Sequence, residues 1–376
     1  MEEVPLNVLL VVADFPRDVG TREQFLARPS APAIGVNHLA TVLRKLGHNV
    51  VVIDALFHAL RTGFRTRIDT AVGTTEVLRE MGDVDCIGIS ITSPTRSYAL
   101  AIARAAREHA PHATIVAGGP HVSVLEERLL EGHRDLYDYL VVGEGDRTLP
   151  ELLDVIAGKR KPAETPGIVY RSSTGSTCKT AARPVLCEHS LNDETLVPNT
   201  EYAQYQSFFD GGRVPALAMV TARGCPYGCT FCYSPRLWCT YRCQSPERVL
   251  SEIDYFRTNY GIRHLRFQDD TFTYNRTRCL AVLAGLRSRQ YGIDLYAHTR
   301  FDCIDEQVIE AYASAGGRSL YFGLESGAAD MRRRMGKNGG VTNERIGAVC
   351  RAVKKAGIRL GLWVMFGYPG ETDDKV

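Results

Sequence analysis

Apolar, β-branched runs alternate with helix-period segments from the N-terminus to about residue 157, and that alternation leaves few folds open. The runs are Val8 to Ala13, Val50 to Asp54, Cys86 to Ile91, Thr114 to Ala117 and Tyr139 to Val142. Between them Gly35 to Leu46, Ser97 to His109 and Arg147 to Ala157 repeat apolar residues at three- and four-residue steps. Strands that are apolar throughout, instead of every second residue, need both faces covered. The pattern therefore predicts a doubly wound parallel α/β sheet, Rossmann-like, over residues 1–160. A chain of 376 residues, 44% hydrophobic and 23% charged, has room for a second core after it.

In an open sheet of this kind ligands bind beyond the carboxyl ends of the strands. The segments there read Asp14-Phe15-Pro16-Arg17, Ser90-Ile91-Thr92-Ser93-Pro94, Gly118-Gly119-Pro120-His121 and Gly143-Glu144-Gly145-Asp146. Each by itself reads as a turn, glycine supplying positive φ and proline ending a strand. Four of them on one edge suit a large, flat ligand. Residues 161–215 hold Pro162, Pro166, Gly175, Pro184, Pro198, Gly211 and Gly212, and read as a linker with a hairpin between Gly167 to Arg171 and a return near Pro184 to Leu186. Cys178 and Cys187 flank that hairpin and receive no role.

A buried strand over Ala216 to Thr221 then runs into Arg223-Gly224-Cys225-Pro226-Tyr227-Gly228-Cys229-Thr230-Phe231-Cys232-Tyr233. A cubane iron–sulfur cluster has four irons and normally takes four thiolates, so a C-x3-C-x2-C loop leaves one iron open. The competing readings are a zinc site short of its fourth ligand and a chance clustering of core cysteines, and zinc sites more often show paired C-x2-C knuckles or histidines. Cys239 and Cys243 follow, and one of them would complete a four-cysteine site, but with Trp238 and Arg242 beside them they read as ordinary contacts leading into a helix opened by Ser245-Pro246-Glu247.

Strand–helix alternation continues with His264 to Asp269, Leu295 to Thr299, Ser319 to Gly323 and Arg359 to Phe366. It predicts a partial, TIM-like α/β barrel over residues 216–376, with active residues at the carboxyl ends of its strands. Those ends carry Gln268-Asp269-Asp270, His298-Thr299-Arg300, Gly323-Leu324-Glu325-Ser326-Gly327 and Phe366-Gly367-Tyr368-Pro369-Gly370-Glu371-Thr372. Asp269 and Asp270 read equally as ligand contacts or as helix caps, and Ser326 reads as a cap too.

Lys and Arg total 45 against 43 Asp and Glu, with no run of like charge, so no long-range field favours nucleic acid or an anionic membrane. The apolar run from Val8 to Ala13 is too short for a signal peptide or a membrane span, and a cytoplasmic location is expected. In a reducing compartment eleven cysteines speak for metal or redox chemistry over disulfides.

Taken together, the four loops of residues 5–157 resemble the cobalamin-binding domain that precedes many radical S-adenosylmethionine (SAM) enzymes, and the cysteine loop reproduces the Cys-x3-Cys-x-aromatic-Cys signature of the radical SAM superfamily. The resemblance implies a [4Fe–4S] cluster on Cys225, Cys229 and Cys232, and SAM contacts from Phe231 beside the adenine, Asp269, Glu325 and Gly367. It implies a cobalamin cradle of Asp14, Ser90, Thr92, Gly118, Gly119, Gly143 and Glu144. Gly224 and Gly228 would let the backbone bend around the cluster. One departure stands out: better-known cobalamin modules carry Asp-x-His-x-x-Gly after the first strand, and Pro16 occupies the histidine's place, so no His-on cobalt ligation is expected there. His121 is expected to cap the next helix or to contact the nucleotide tail.

The activity implied is generation of a 5′-deoxyadenosyl radical and methylation of an unactivated carbon of a small-molecule or biosynthetic-intermediate substrate, with methylcobalamin as donor and a flavodoxin- or ferredoxin-type protein as electron source. The alternatives are cyclisation, rearrangement or oxidation without methyl transfer, and a non-enzymatic cobalamin-binding module. No membrane or nucleic-acid partner is expected. The sequence stops after the fifth barrel strand, which reads as a truncated core, either a fragment or an unusually short protein, with the substrate-choosing region mostly absent.

Overall fold

The computed structural model describes residues 4–14, 33–54, 69–185, 215–337 and 340–372. They form two compact units, one ending at Val185 and one that takes in everything described from residue 215 onward.

The first unit is a seven-stranded sheet ordered β2-β1-β3-β4-β5-β6-β7, made of β1 (Asn7–Val12), β2 (Asn49–Ile53), β3 (Cys86–Ser90), β4 (Thr114–Gly118), β5 (Tyr139–Val141), β6 (Ile168–Arg171) and β7 (Thr177–Lys179). The first five strands are parallel, as the apolar runs predict. Alternate side chains divide between two cores. Val8, Leu10, Val50, Val52, Val116 and Val141 pack with Val36, Ala40 and Leu43 of α1 (Ile34–Lys45). On the other face Leu9, Val11, Ile87, Ile89, Ile115 and Ala117 pack with Val77 of α2 (Thr70–Met81) and Ala99 and Ile102 of α3 (Arg96–His109). Each Val, Leu or Ile among them, fully buried, contributes roughly 1.5–3 kcal/mol. The short α4 (Pro120–Leu125) and α5 (Glu127–Gly132) follow β4, and α6 (Gly145–Ile156) follows β5.

Helix α2 is not among the sequence expectations, because Thr70, Val72, Gly73, Thr74 and Thr75 are poor helix formers. Burial of Val77 and Leu78 against the sheet and a cap from Asp69, whose carboxylate accepts from the Ala71 N–H at 3.0 Å, hold it. The hairpin is also corrected. Its return strand is Thr177–Lys179 instead of Pro184 to Leu186, closed by a turn at Gly175, and β6 pairs antiparallel with β5. Ile168 and Val169 are fully buried there, and β6 and β7 extend the first sheet. Cys178 lies on β7. Pro16, Leu186 and Cys187 lie outside the described residues.

The second unit holds a parallel five-stranded sheet in the order β14-β13-β12-β11-β8: β8 (Ala216–Met219), β11 (His264–Phe267), β12 (Asp294–Thr299), β13 (Gly317–Glu325) and β14 (Arg359–Val364). A small ribbon pairs β9 (Ala222–Arg223) with β10 (Arg242–Cys243). Strict sequential order with a helix between neighbours is the partial-barrel pattern, the helices being α7 (Ser234–Trp238), α8 (Pro246–Tyr260), α9 (Arg276–Arg289), α10 (Glu306–Ser314), α11 (Ala329–Arg334) and α12 (Asn343–Lys355). As expected, Ser245 caps α8, its hydroxyl accepting from the Arg248 N–H at 3.2 Å. Strand register places Arg266 beside Tyr296, His298 beside Tyr321, Tyr321 beside Gly361, and Gly323 beside Trp363 on one face.

Candidate active site

The cysteine loop begins where β8 ends, and Asp269 makes the turn. Its buried carboxylate accepts from the Thr221 N–H at 2.6 Å, the Thr221 hydroxyl at 2.6 Å and the Ala222 N–H at 2.9 Å. Burial pushes the Asp269 pKa up, against Arg278 and these hydrogen bonds. Both oxygens are thus engaged by protein, and Asp269 braces the loop. Asp270 is no helix cap: it accepts from the Ser234 hydroxyl, while α9 is capped by Asn275.

Gly224 has φ +86°, and a Cβ there would lie 2.3 Å from the Thr240 carbonyl oxygen, so only glycine lets the ribbon close over the loop. Gly228 needs no such freedom, since a Cβ would meet nothing within 4 Å. Beyond it the Thr230 N–H donates to the Met335 carbonyl at 3.0 Å, and the Thr230 and Tyr368 hydroxyls are 2.6 Å apart, which ties the loop to the end of α11 and to the segment after β14.

Cys225, Cys229 and Cys232 are free thiols, graded from buried at Cys229 to exposed at Cys232. Burial raises the pKa of Cys225 and of Cys232. Among the described residues no three His, Cys, Asp or Glu side chains already converge as metal ligands. The donor chemistry nevertheless fits an iron–sulfur cluster: three unbridged thiols share one loop, and soft thiolate is what iron in such clusters takes. Cys239 and Cys243 do not join them, Cys239 Sγ bonding the Arg236 carbonyl at 3.6 Å and Cys243 lying on β10.

Three side chains beside the loop have partners that the sequence did not reveal. Arg300 is 3% exposed, forks to Asp302 at 2.8 and 2.7 Å, lies 3.6 Å over the Tyr227 ring and points its remaining terminal nitrogen at Cys229 Sγ, 3.4 Å away. Burial opposes its charge, but Asp302 and Cys229 outweigh that and its pKa is raised. The Tyr227 hydroxyl is 2.9 Å from Cys303 Sγ, and burial lifts the Cys303 thiol to about 11. Lys337 pairs with Glu325 at 3.2 Å and stands 6.0 Å from the Phe231 ring centre. A polar strand-end triplet containing Arg300 was visible in the sequence, whereas no spacing marks Lys337.

The remaining expected SAM contacts divide. Phe231 is 37% exposed beside the cysteines, and Glu325, at φ +68°, ends a bulged β13. Gly367, at φ +78°, donates its N–H to Glu371 at 2.6 Å, a local turn joined to the loop through Tyr368. On the sheet face, Arg266 donates to His298 Nε2 at 2.8 Å, and the rings of His298, Tyr321 and Trp363 lie 5.6 to 6.2 Å apart. Burial, then Arg266, lowers the His298 pKa to about 4, so the imidazole is neutral.

In the first unit β1 pairs with both β2 and β3, so strand order reverses there and the crevice opens at the carboxyl ends of β1 and β3. Asp14 follows β1, and Ser90 ends β3. A Cβ on Gly119, at φ +99°, would lie 2.8 Å from the Ile91 carbonyl oxygen, so the loops at Ser90 and at Gly118 and Gly119 meet backbone to backbone. Thr92 is engaged in a capping box with Thr95, their hydroxyls 3.0 Å apart. The Gly143 N–H donates to Ser123 Oγ at 2.9 Å, and Glu144 takes the N-cap position of α6. His121 lies inside α4 instead of capping it, its Nδ1 3.0 Å from Ser93 Oγ.

Comparison with known proteins matches these two halves separately. The radical SAM superfamily model covers residues 219–376 and the B12 binding domain model covers residues 27–153. An uncharacterized methyltransferase of Pyrococcus horikoshii is 30% identical over 92% of this chain and 72% of its own length. The anaerobic magnesium-protoporphyrin IX monomethyl ester cyclase of Synechocystis is 22% identical over 85% of this chain, which spans 61% of that protein. In fold, the chain is similar to the radical SAM methyltransferase TsrM from Kitasatospora setae, solved with cobalamin and a [4Fe–4S] cluster, at a TM-score of 0.76 and 21% identity over 99% of this chain and 71% of that one. The chain therefore belongs to the family that joins a B12-binding domain to a radical SAM domain, and shares its cofactors: a [4Fe–4S] cluster, SAM and cobalamin.

Proposed function

We propose that this protein is a cobalamin-dependent C-methyltransferase acting on an unactivated carbon of a small-molecule or biosynthetic-intermediate substrate. The observation that carries the reading is the loop of three free thiols set beside Phe231 and the Glu325–Lys337 pair, in a chain whose other unit is a cobalamin-type sheet. When bound, SAM at the open iron supplies a 5′-deoxyadenosyl radical for hydrogen abstraction, and methylcobalamin supplies the methyl group. The protein's part is placement. Cys225, Cys229 and Cys232 hold the cluster, Phe231 offers an exposed ring to the adenine, and Glu325 receives the amino or ribose groups of SAM. Asp14, Ser90, Gly118, Gly119, Gly143 and Glu144 line the cobalamin site, with Thr92 capping the loop between them. The electron comes from a flavodoxin- or ferredoxin-type donor.

A second reading, cyclisation or oxidation without methyl transfer, is favoured by the likeness to the Synechocystis cyclase. Anaerobic incubation of the iron- and sulfide-loaded protein with cobalamin, reductant and methyl-deuterated SAM separates the two without a known substrate. The first reading expects both 5′-deoxyadenosine and deuterated methylcobalamin. The nucleoside without labelled methylcobalamin transfers the assignment to the second reading, and neither product sinks both.

A further inference from the structure

Arg300 is held in a way that leaves one part of it free to act. Its Nε and one terminal nitrogen are taken by Asp302 in a two-point fork, which fixes the plane of the guanidinium. Tyr227, from within the cysteine loop, covers a flat face at 3.6 Å. The other terminal nitrogen cannot swing away, and it is the one that faces Cys229 Sγ at 3.4 Å. Arg300 is 3% exposed and Cys229 8%, so water screens this contact little.

We propose that Arg300 is a positioning residue for electron entry: its N–H donates to the cluster-bound sulfur of Cys229 and raises the reduction potential of the cluster. Hydrogen bonds to cluster sulfurs are a recognised lever on such potentials. A reduced cluster carries one more negative charge than the oxidised one, so a fixed cation and donor at the sulfur favours the reduced form. The proposal rests on the three-cysteine cluster reading above.

The test is a redox titration of the cluster-loaded 376-residue chain, without SAM, following the reduced cluster by electron paramagnetic resonance. Arg300→Met removes both charge and donor at similar bulk. Its midpoint is expected to fall so that reduction is about tenfold less favourable, ~59 mV more negative for a one-electron couple. Arg318→Met, which removes an exposed positive charge at the far end of β13, is expected to leave the midpoint unchanged. An Arg300→Met protein with full iron content and a wild-type midpoint overturns the proposal. If Arg300→Met holds no iron, Arg300→Lys decides, since it keeps the charge but loses the fork to Asp302; a smaller shift in the same direction supports the proposal, and a wild-type midpoint overturns it. A wild-type chain that takes up no cluster under these conditions overturns this proposal and the cluster reading together.

Discussion

Burial decides the charge of His298, and through it a share of the protein's acid stability. The ring accepts from Arg266 and stacks on Tyr321, surroundings that refuse a proton until about pH 4, whereas an unfolded histidine takes one near 6.5. Below pH 6.5 the unfolded chain therefore binds a proton that the fold does not, and stability falls as pH drops through that window. His298→Gln keeps an acceptor for Arg266 without the titration, so the loss of unfolding free energy between pH 7.5 and pH 5, measured in urea, is expected to shrink by about 1–2 kcal/mol. An unchanged pH slope would exclude His298 as the source. Asp269 shows where reading single residues stops. Its position at a strand end was legible, but its hold on the cysteine loop was not, because packing decides which backbone amides face a carboxylate, and those of Thr221 and Ala222 come from the segment after β8.

At the scale of elements, the loop after β8 is shaped by one glycine. A side chain at Gly224 must adopt positive φ and press on the Thr240 carbonyl, whereas one at Gly228 meets nothing. Gly224→Ala is expected to lower the unfolding free energy of the metal-free protein by about 1–3 kcal/mol and to cut iron uptake, while Gly228→Ala leaves the metal-free protein as stable as wild type. Equal stability of the two variants would mean that the ribbon of β9 and β10 does not constrain the loop. The strands were legible because apolar runs and turn residues are local signals: all ten strands of the two parallel arrays expected from sequence lie within a few residues of their predicted bounds. Helix α2 and the β6–β7 hairpin were not read correctly, since packing on the sheet, absent from local propensity, decides both.

On the scale of the whole molecule, two units with separate cores imply that each cofactor acts first on its own unit. Hydroxocobalamin at a hundred times its dissociation constant is expected to stabilise the first unit by ~2.7 kcal/mol and to slow amide hydrogen exchange at Ser90 to Thr92 and at Gly118 and Gly119. Bound cobalamin with unaltered exchange at those amides would move the ligand away from the β1 and β3 strand ends. Among the described residues no helix is long and apolar enough to cross a membrane. The sequence by itself determined the α/β class of both units and the three-thiol loop, because strand periodicity and C-x3-C-x2-C spacing are written in neighbouring residues. Only the tertiary structure decided that Asp269 braces the loop, that Lys337 meets Glu325, and that Arg300 reaches a sulfur 71 positions away. Those contacts join segments that lie apart in the chain, and which segments meet follows from sheet order and packing, which no local pattern encodes.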